Sequence, residues 1–188
     1  MRRIVICAGL LAATLAAATK TGQQDYRRQY VRQTYGKRAL LSVGAHAAFG
    51  EAINRPSQWG RGPAGFGKRL LSGVGTHIVK NSIQFAVAAA RHEDLTYYRS
   101  PDTRFGPRLR HALVSTVVTR KTTTGQKTVA AGHVSGAVGA GLISRLWQPA
   151  AFRTVAGGFA TAGILLGATA GTNVAREFWP KHKHRTSR

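Results

Sequence analysis

A small residue recurs at every fourth position in two separate stretches of this chain, and that spacing constrains the fold more than any other feature. In "GILLGATAGTNVA" the positions are Gly163, Gly167, Gly171 and Ala175; in "GHVSGAVGAGLIS" they are Gly132, Gly136, Ala140 and Ser144. Residues four apart share one side of a helix, so each stretch presents a groove almost free of side chains. Glycine inside a helix costs about 1 kcal/mol relative to alanine. A run of glycines therefore persists where another backbone can approach closely, as in tightly packed helix pairs. The ladders predict two helices that pack through Gly132, Gly136 and Ala140 and through Gly163, Gly167 and Gly171, either inside one bundle or against a second copy of the chain.

The rest of the chain reads as helix as well. Residues 39–54 form a first helix, ended by Arg55-Pro56 because the residue before proline avoids helical angles. A long helix fits 67–91, where Leu71, Val74, Ile78 and Phe85 recur near helical spacing. The stretch 107–120 is ambiguous: its β-branched residues allow a helix or a β-hairpin through the 122–127 turn, and helix is favoured. Two further helices follow over 129–147 and 152–179, separated by Pro149. The expected fold is all-α, a single bundle of four or five helices with glycine- and alanine-laddered faces, with a β-hairpin near 111–135 as the local alternative. A β-barrel is disfavoured, because alternating ten-residue strands flanked by aromatics are missing.

The organisation expected is a signal peptide over 1–18, a basic leader over 19–38, the helical domain over 39–180 and a basic tail over 181–188. Arg2 and Arg3 precede an apolar run that ends in Ala16-Ala17-Ala18, the order of a cleavable secretory signal. That run reaches 15 residues, short of the ~20 that span a bilayer. Cys7 lies inside it, so the mature chain has no thiol. The full chain holds 28 Lys and Arg against six Asp and Glu. Such an excess seeks anions. With export expected, the partners are an anionic lipid or envelope polymer in the periplasm or cell envelope, and nucleic acid ranks below them. The anion-facing candidates are Arg27, Arg28, Arg32, Lys37 and Arg38 in the leader, Lys68 and Arg69 at the long helix, and Lys181, Lys183 and Arg185 in the tail. The 22 uncharged residues between Arg153 and Arg176 are long enough to cross a bilayer. Their many Gly, Ala and Thr residues favour a packed core helix, with a membrane-embedded glycine-zipper assembly as the alternative.

The stretch "GRGPAGFGKR" matches two nucleotide-loop patterns by spacing alone. Arg69 stands where a phosphate loop requires Ser or Thr, no buried strand precedes it, and position 85 is phenylalanine where a dinucleotide fold needs an acid. It reads as a turn, with Lys68 and Arg69 beside free helix N–H groups as a weak anion site. No cofactor and no metal site is expected, since the strong zinc spacings are missing. A third reading is a hydrolase or metal-assisted enzyme using His46, His77 and Glu177, which requires those three to converge. A hydrogen-bond network that fixes helix register accounts for the same polar residues.

The segments "QWGRGPAGFGKR", "HEDLTYYRS", "LVSTVVTR", "GAVGAGLISRLWQP" and "TNVAREFWP" together resemble an uncharacterised family of glycine-rich exported bacterial envelope proteins, over roughly Phe49 to Pro180. The resemblance implies an envelope location. It carries over no activity and no catalytic residue.

Overall fold

A computed structural model describes residues 26–179; the expected signal peptide and basic tail, with Lys181, Lys183 and Arg185, lie outside the described residues. The described chain is mostly α-helical with one small antiparallel sheet. Residues 26–35 form a helical segment, α1. It is followed by α2 (Lys37–Ala52), α3 (Pro63–Arg91), β1 (Glu93–Asp94), α4 (Phe105–Val114), β2 (Val118–Lys121), β3 (Lys127–Val129), α5 (Ala131–Ser144) and α6 (Val155–Phe178).

Local chemistry sets several boundaries. Pro63 opens α3 at a position where its missing N–H loses no bond, so the helix starts four residues earlier than hydrophobic spacing alone suggests. Its end is marked by His92 in a left-handed conformation. Thr154 caps α6 by accepting from the Gly157 N–H at 3.0 Å. The ambiguous 107–120 stretch divides between both readings. Its first half is α4, and its β-branched second half enters β2, which pairs with β3 across the turn and with β1 on its other edge.

The helices pack mainly as neighbours in series, α2 on α3, α3 on α5 and α5 on α6, with α4 resting on α6. Helix α5 is the centre of this series, and its ladder makes that possible. A Cβ on Gly132 would sit 2.8 Å from the Gln84 carbonyl oxygen, and one on Gly136 would sit 2.8 Å from both the Lys80 carbonyl oxygen and Gln84 Cβ. Ala140 and Ala137 are fully buried beside them. On its other side, Gly141 lies directly against the Gly158 carbonyl and Ala162 of α6.

The second ladder behaves differently, and here the expectation of an internal packing face is corrected. Beyond the nearby backbone of α6 itself, Gly163, Gly167 and Gly171 have no described atom within 4 Å of where a side chain would begin. At 100° per residue the side of α6 that meets the bundle runs through Gly158, Ala162, Thr169 and Asn173. The ladder lies on the opposite side, between Phe159 and Ile164, both more than half exposed.

Residues 26–35 are docked on the fold: the Tyr26 hydroxyl donates to the Glu93 carbonyl at 2.7 Å, and Tyr30 packs edge-on against Phe85 at 5.6 Å. Both tyrosines cover the small cluster of Phe85, Ala88 and Leu95. Aromatic rings four residues apart thus serve as anchors on one face of α1, while Arg27, Arg28 and Arg32 remain on the exposed face.

Candidate functional site: a one-signed surface and two uncovered helix faces

Each of the five acidic residues described has a hydrogen-bond partner within the chain, and Glu93 and Glu177 are fully buried. Glu51 accepts from the Gly62 N–H at 2.6 Å and pairs with Arg69 at 2.5 Å. Glu93, fully buried, accepts from the N–H groups of Ala131 at 3.2 Å and Gly132 at 2.8 Å and pairs with Arg91 at 2.7 Å. Glu177, also fully buried, binds Arg108 at 2.9 Å, the Tyr97 hydroxyl at 2.6 Å and the Ser100 N–H at 3.1 Å. Asp94 accepts from the Thr96 N–H and the Tyr98 hydroxyl, and Asp102 from the Ser100 hydroxyl. Burial, followed by the bond to Glu177, raises the pKa of Tyr97.

Glu51 and Glu93 share one structural logic. A helix N-terminus carries free N–H groups and partial positive charge, which a carboxylate neutralises. Glu51 serves α3 in this way, and Glu93 serves α5. The anion at the start of the long helix is therefore the protein's own. Arg69, expected to face an external anion, is buried and bonds inward to Glu51, Gly60 O, Asn54 Oδ1, Arg55 O and Pro56 O. Only Lys68 of that pair is exposed. No local spacing signals these roles, because each carboxylate reaches its helix through the tertiary fold.

With the carboxylates committed, the exposed charge among the described residues is overwhelmingly positive. Arg27, Arg28, Arg32, Lys37 and Arg38 are all exposed along α1 and the start of α2. Beside them α2 leaves an apolar strip open, formed by Leu40, Leu41, Gly44, Ala45 and Ala48, with Lys37 at its end. Leu41 is 72% exposed and Phe49, further along the helix, 65%. Helix α6 presents a second uncovered face. Its most apolar window is only 11% buried, and the helix is long and apolar enough to cross a membrane.

The structure separates the three residues of the enzyme reading. His46 is exposed on α2 and bonded to the Ser42 carbonyl. His77, on α3, bonds the Gln33 carbonyl at 3.1 Å and Asn81 at 3.0 Å, and Asn81 also donates to the Thr34 hydroxyl. Glu177 sits in the last turn of α6 with its own partners. The three share no partner, so the convergence that chemistry requires is not met. His77 and Asn81 instead tie α1 to α3. Among the described residues, no three His, Cys, Asp or Glu side chains group closely enough to hold a metal.

No protein-family model matches the chain, and neither a curated protein nor a solved structure matches it.

Proposed function

We propose that the chain is an exported structural protein of the cell envelope that docks on anionic lipid or polymer surfaces, without catalysis. One observation carries this reading: the exposed cations of α1 and α2 adjoin an uncovered apolar helix face, while each described carboxylate already has a hydrogen-bond partner within the chain. Cations alone suit any polyanion. Cations bordering Leu40, Leu41 and Phe49 suit a bilayer, whose phosphates meet the arginines while the apolar strip enters the headgroup boundary.

The test is flotation of the purified full chain with anionic and zwitterionic vesicles. Binding to the anionic vesicles alone supports the reading, and equal binding to both or to neither overturns it. Raising salt from about 0.1 M to about 1 M shrinks the Debye length from about 10 Å to about 3 Å and releases a protein held by charge.

A second reading rests on α6. Its uncharged exposed face between Arg153 and Arg176 fits insertion into the bilayer, with the open ladder of Gly163, Gly167 and Gly171 against a second copy of the chain. Retention on membranes through alkaline carbonate, with crosslinked dimers lost when the three glycines become leucine, distinguishes this reading from the first.

A further inference from the structure

The seam where α3, α5 and α6 meet holds polar groups that the fold itself does not satisfy. Lys80 of α3 reaches across α5 to α6, where its ammonium meets only the Thr169 hydroxyl, at a long 3.4 Å. Among the described residues it has no carboxylate within ion-pair distance, since Glu93 and Glu177 are bound to Arg91 and Arg108. Burial lowers the Lys80 pKa.

The same seam contains His133 of α5, whose buried Nδ1 has no hydrogen-bond partner among the described residues. Chain geometry brings these groups together. Helix α5 runs antiparallel to its neighbours: Gly136 faces Lys80 and Gln84, while Gly141 faces Gly158 and Ala162. His133, about two turns before Gly141, therefore lies level with Thr169, about two turns after Ala162. Asn173, the next turn of α6, extends the polar lining by bonding the Thr116 hydroxyl at 3.4 Å.

A charge held partly out of water is normally paired, and an orphaned buried polar atom calls for an unseen partner. We infer that this seam is a binding site for a small oxyanion, a carboxylate or phosphate, held by the Lys80 ammonium, the Thr169 hydroxyl and the His133 ring. The groups facing His133 explain how binding couples to protons. Burial and then the Lys80 ammonium lower its pKa to about 4, against the opposing pull of the Thr116 carbonyl and Glu93, and Arg176 adds the smallest downward push. An anion beside Lys80 cancels the repulsion from that ammonium, so binding draws a proton onto the ring. This site is separate from the proposed lipid-facing surface on α1 and α2.

The experiment is an NMR titration of the full chain with inorganic phosphate and with acetate at constant ionic strength, reading the ring signals of His133 and, as a surface reference, exposed His46. The expected result is a saturable His133 shift with at least one of the two anions, a titration midpoint raised by about one pH unit or more, and no matching change at His46. Lys80→Met abolishes the response and Lys80→Arg restores it; Thr169→Val, which leaves the charge in place, weakens the affinity several-fold. An unmoved His133 with both anions overturns the inference. So does a shift that persists in Lys80→Met or that His46 shares, since either is general attraction to a basic protein.

Discussion

The contrast between the two ladders yields a pair of substitutions with opposite signs. Gly136→Ala places a methyl 2.8 Å from the Lys80 carbonyl oxygen and from Gln84 Cβ. The carbonyl belongs to helix backbone and cannot turn aside, so α5 must move off α3. Overpacking of this kind costs about 1–3 kcal/mol, with a backbone contact at the upper end. The better helix propensity of alanine returns about 1 kcal/mol. The net expectation is a loss of about 2 kcal/mol.

The triple change of Gly163, Gly167 and Gly171 to alanine meets open space at each site. It leaves only the propensity term, a gain of about 2–3 kcal/mol in all. Urea unfolding followed by circular dichroism measures both. With a slope of about 2 kcal/mol/M, the first variant lowers the midpoint by about 1 M and the second raises it by a similar amount. A Gly136→Ala protein as stable as the parent refutes the close α3–α5 contact. A destabilised triple variant shows that the α6 ladder is covered in solution.

Three further outcomes follow from the buried polar groups. His133 is an unfolded-state base of pKa about 6.5 held near 4 in the fold, so the unfolded chain binds the extra proton. Its stability contribution is complete above about pH 6.5 and is lost as pH falls toward 4, by roughly 3 kcal/mol; in anion-free buffer, His133→Gln flattens that part of the pH–stability curve. Glu93→Gln weakens the carboxylate cap of α5 and its bond to Arg91, with an expected loss of about 2 kcal/mol in thermal or urea unfolding. Arg69→Leu leaves Glu51 and four inward-facing oxygens unanswered and costs about 3–5 kcal/mol, whereas neighbouring Lys68→Ala stays within about 0.5 kcal/mol.

The all-α class, the interior breaks at Pro56 and Pro149, and the ambiguity of residues 107–120 between helix and hairpin were legible because proline, β-branching and helical spacing act locally; that this stretch splits between the two was not. Which side of α6 faces the core was not. Gly158 and Ala162 and the Gly163 ladder are equally small, and only the antiparallel placement of α5 chooses between them. The docking of α1 was masked by its arginines, although Tyr26 and Tyr30 carried the signal at four-residue spacing. The roles of Glu51, Glu93 and Glu177 depend on partners far along the chain. Arg108 and Glu177, for example, are separated by 69 residues. The surface candidates on α1 and α2 remained exposed, while Arg69 was drawn inward by a carboxylate that no nearby motif announces.

The location of Glu177 also imposes an order of assembly. Tyr97, Ser100 and Arg108 belong to the segment after α3, yet their shared carboxylate arrives only with the last turn of α6. Helices α2, α3 and α5 can associate as they appear, α3 on α2 and α5 on α3, but the 97–108 segment lacks its carboxylate partner until the whole of α6 has followed. A chain interrupted before that turn keeps Arg108 and Tyr97 unanswered and α4 without its support. The final acidic residue thus acts as a latch that distinguishes a finished molecule from a partial one.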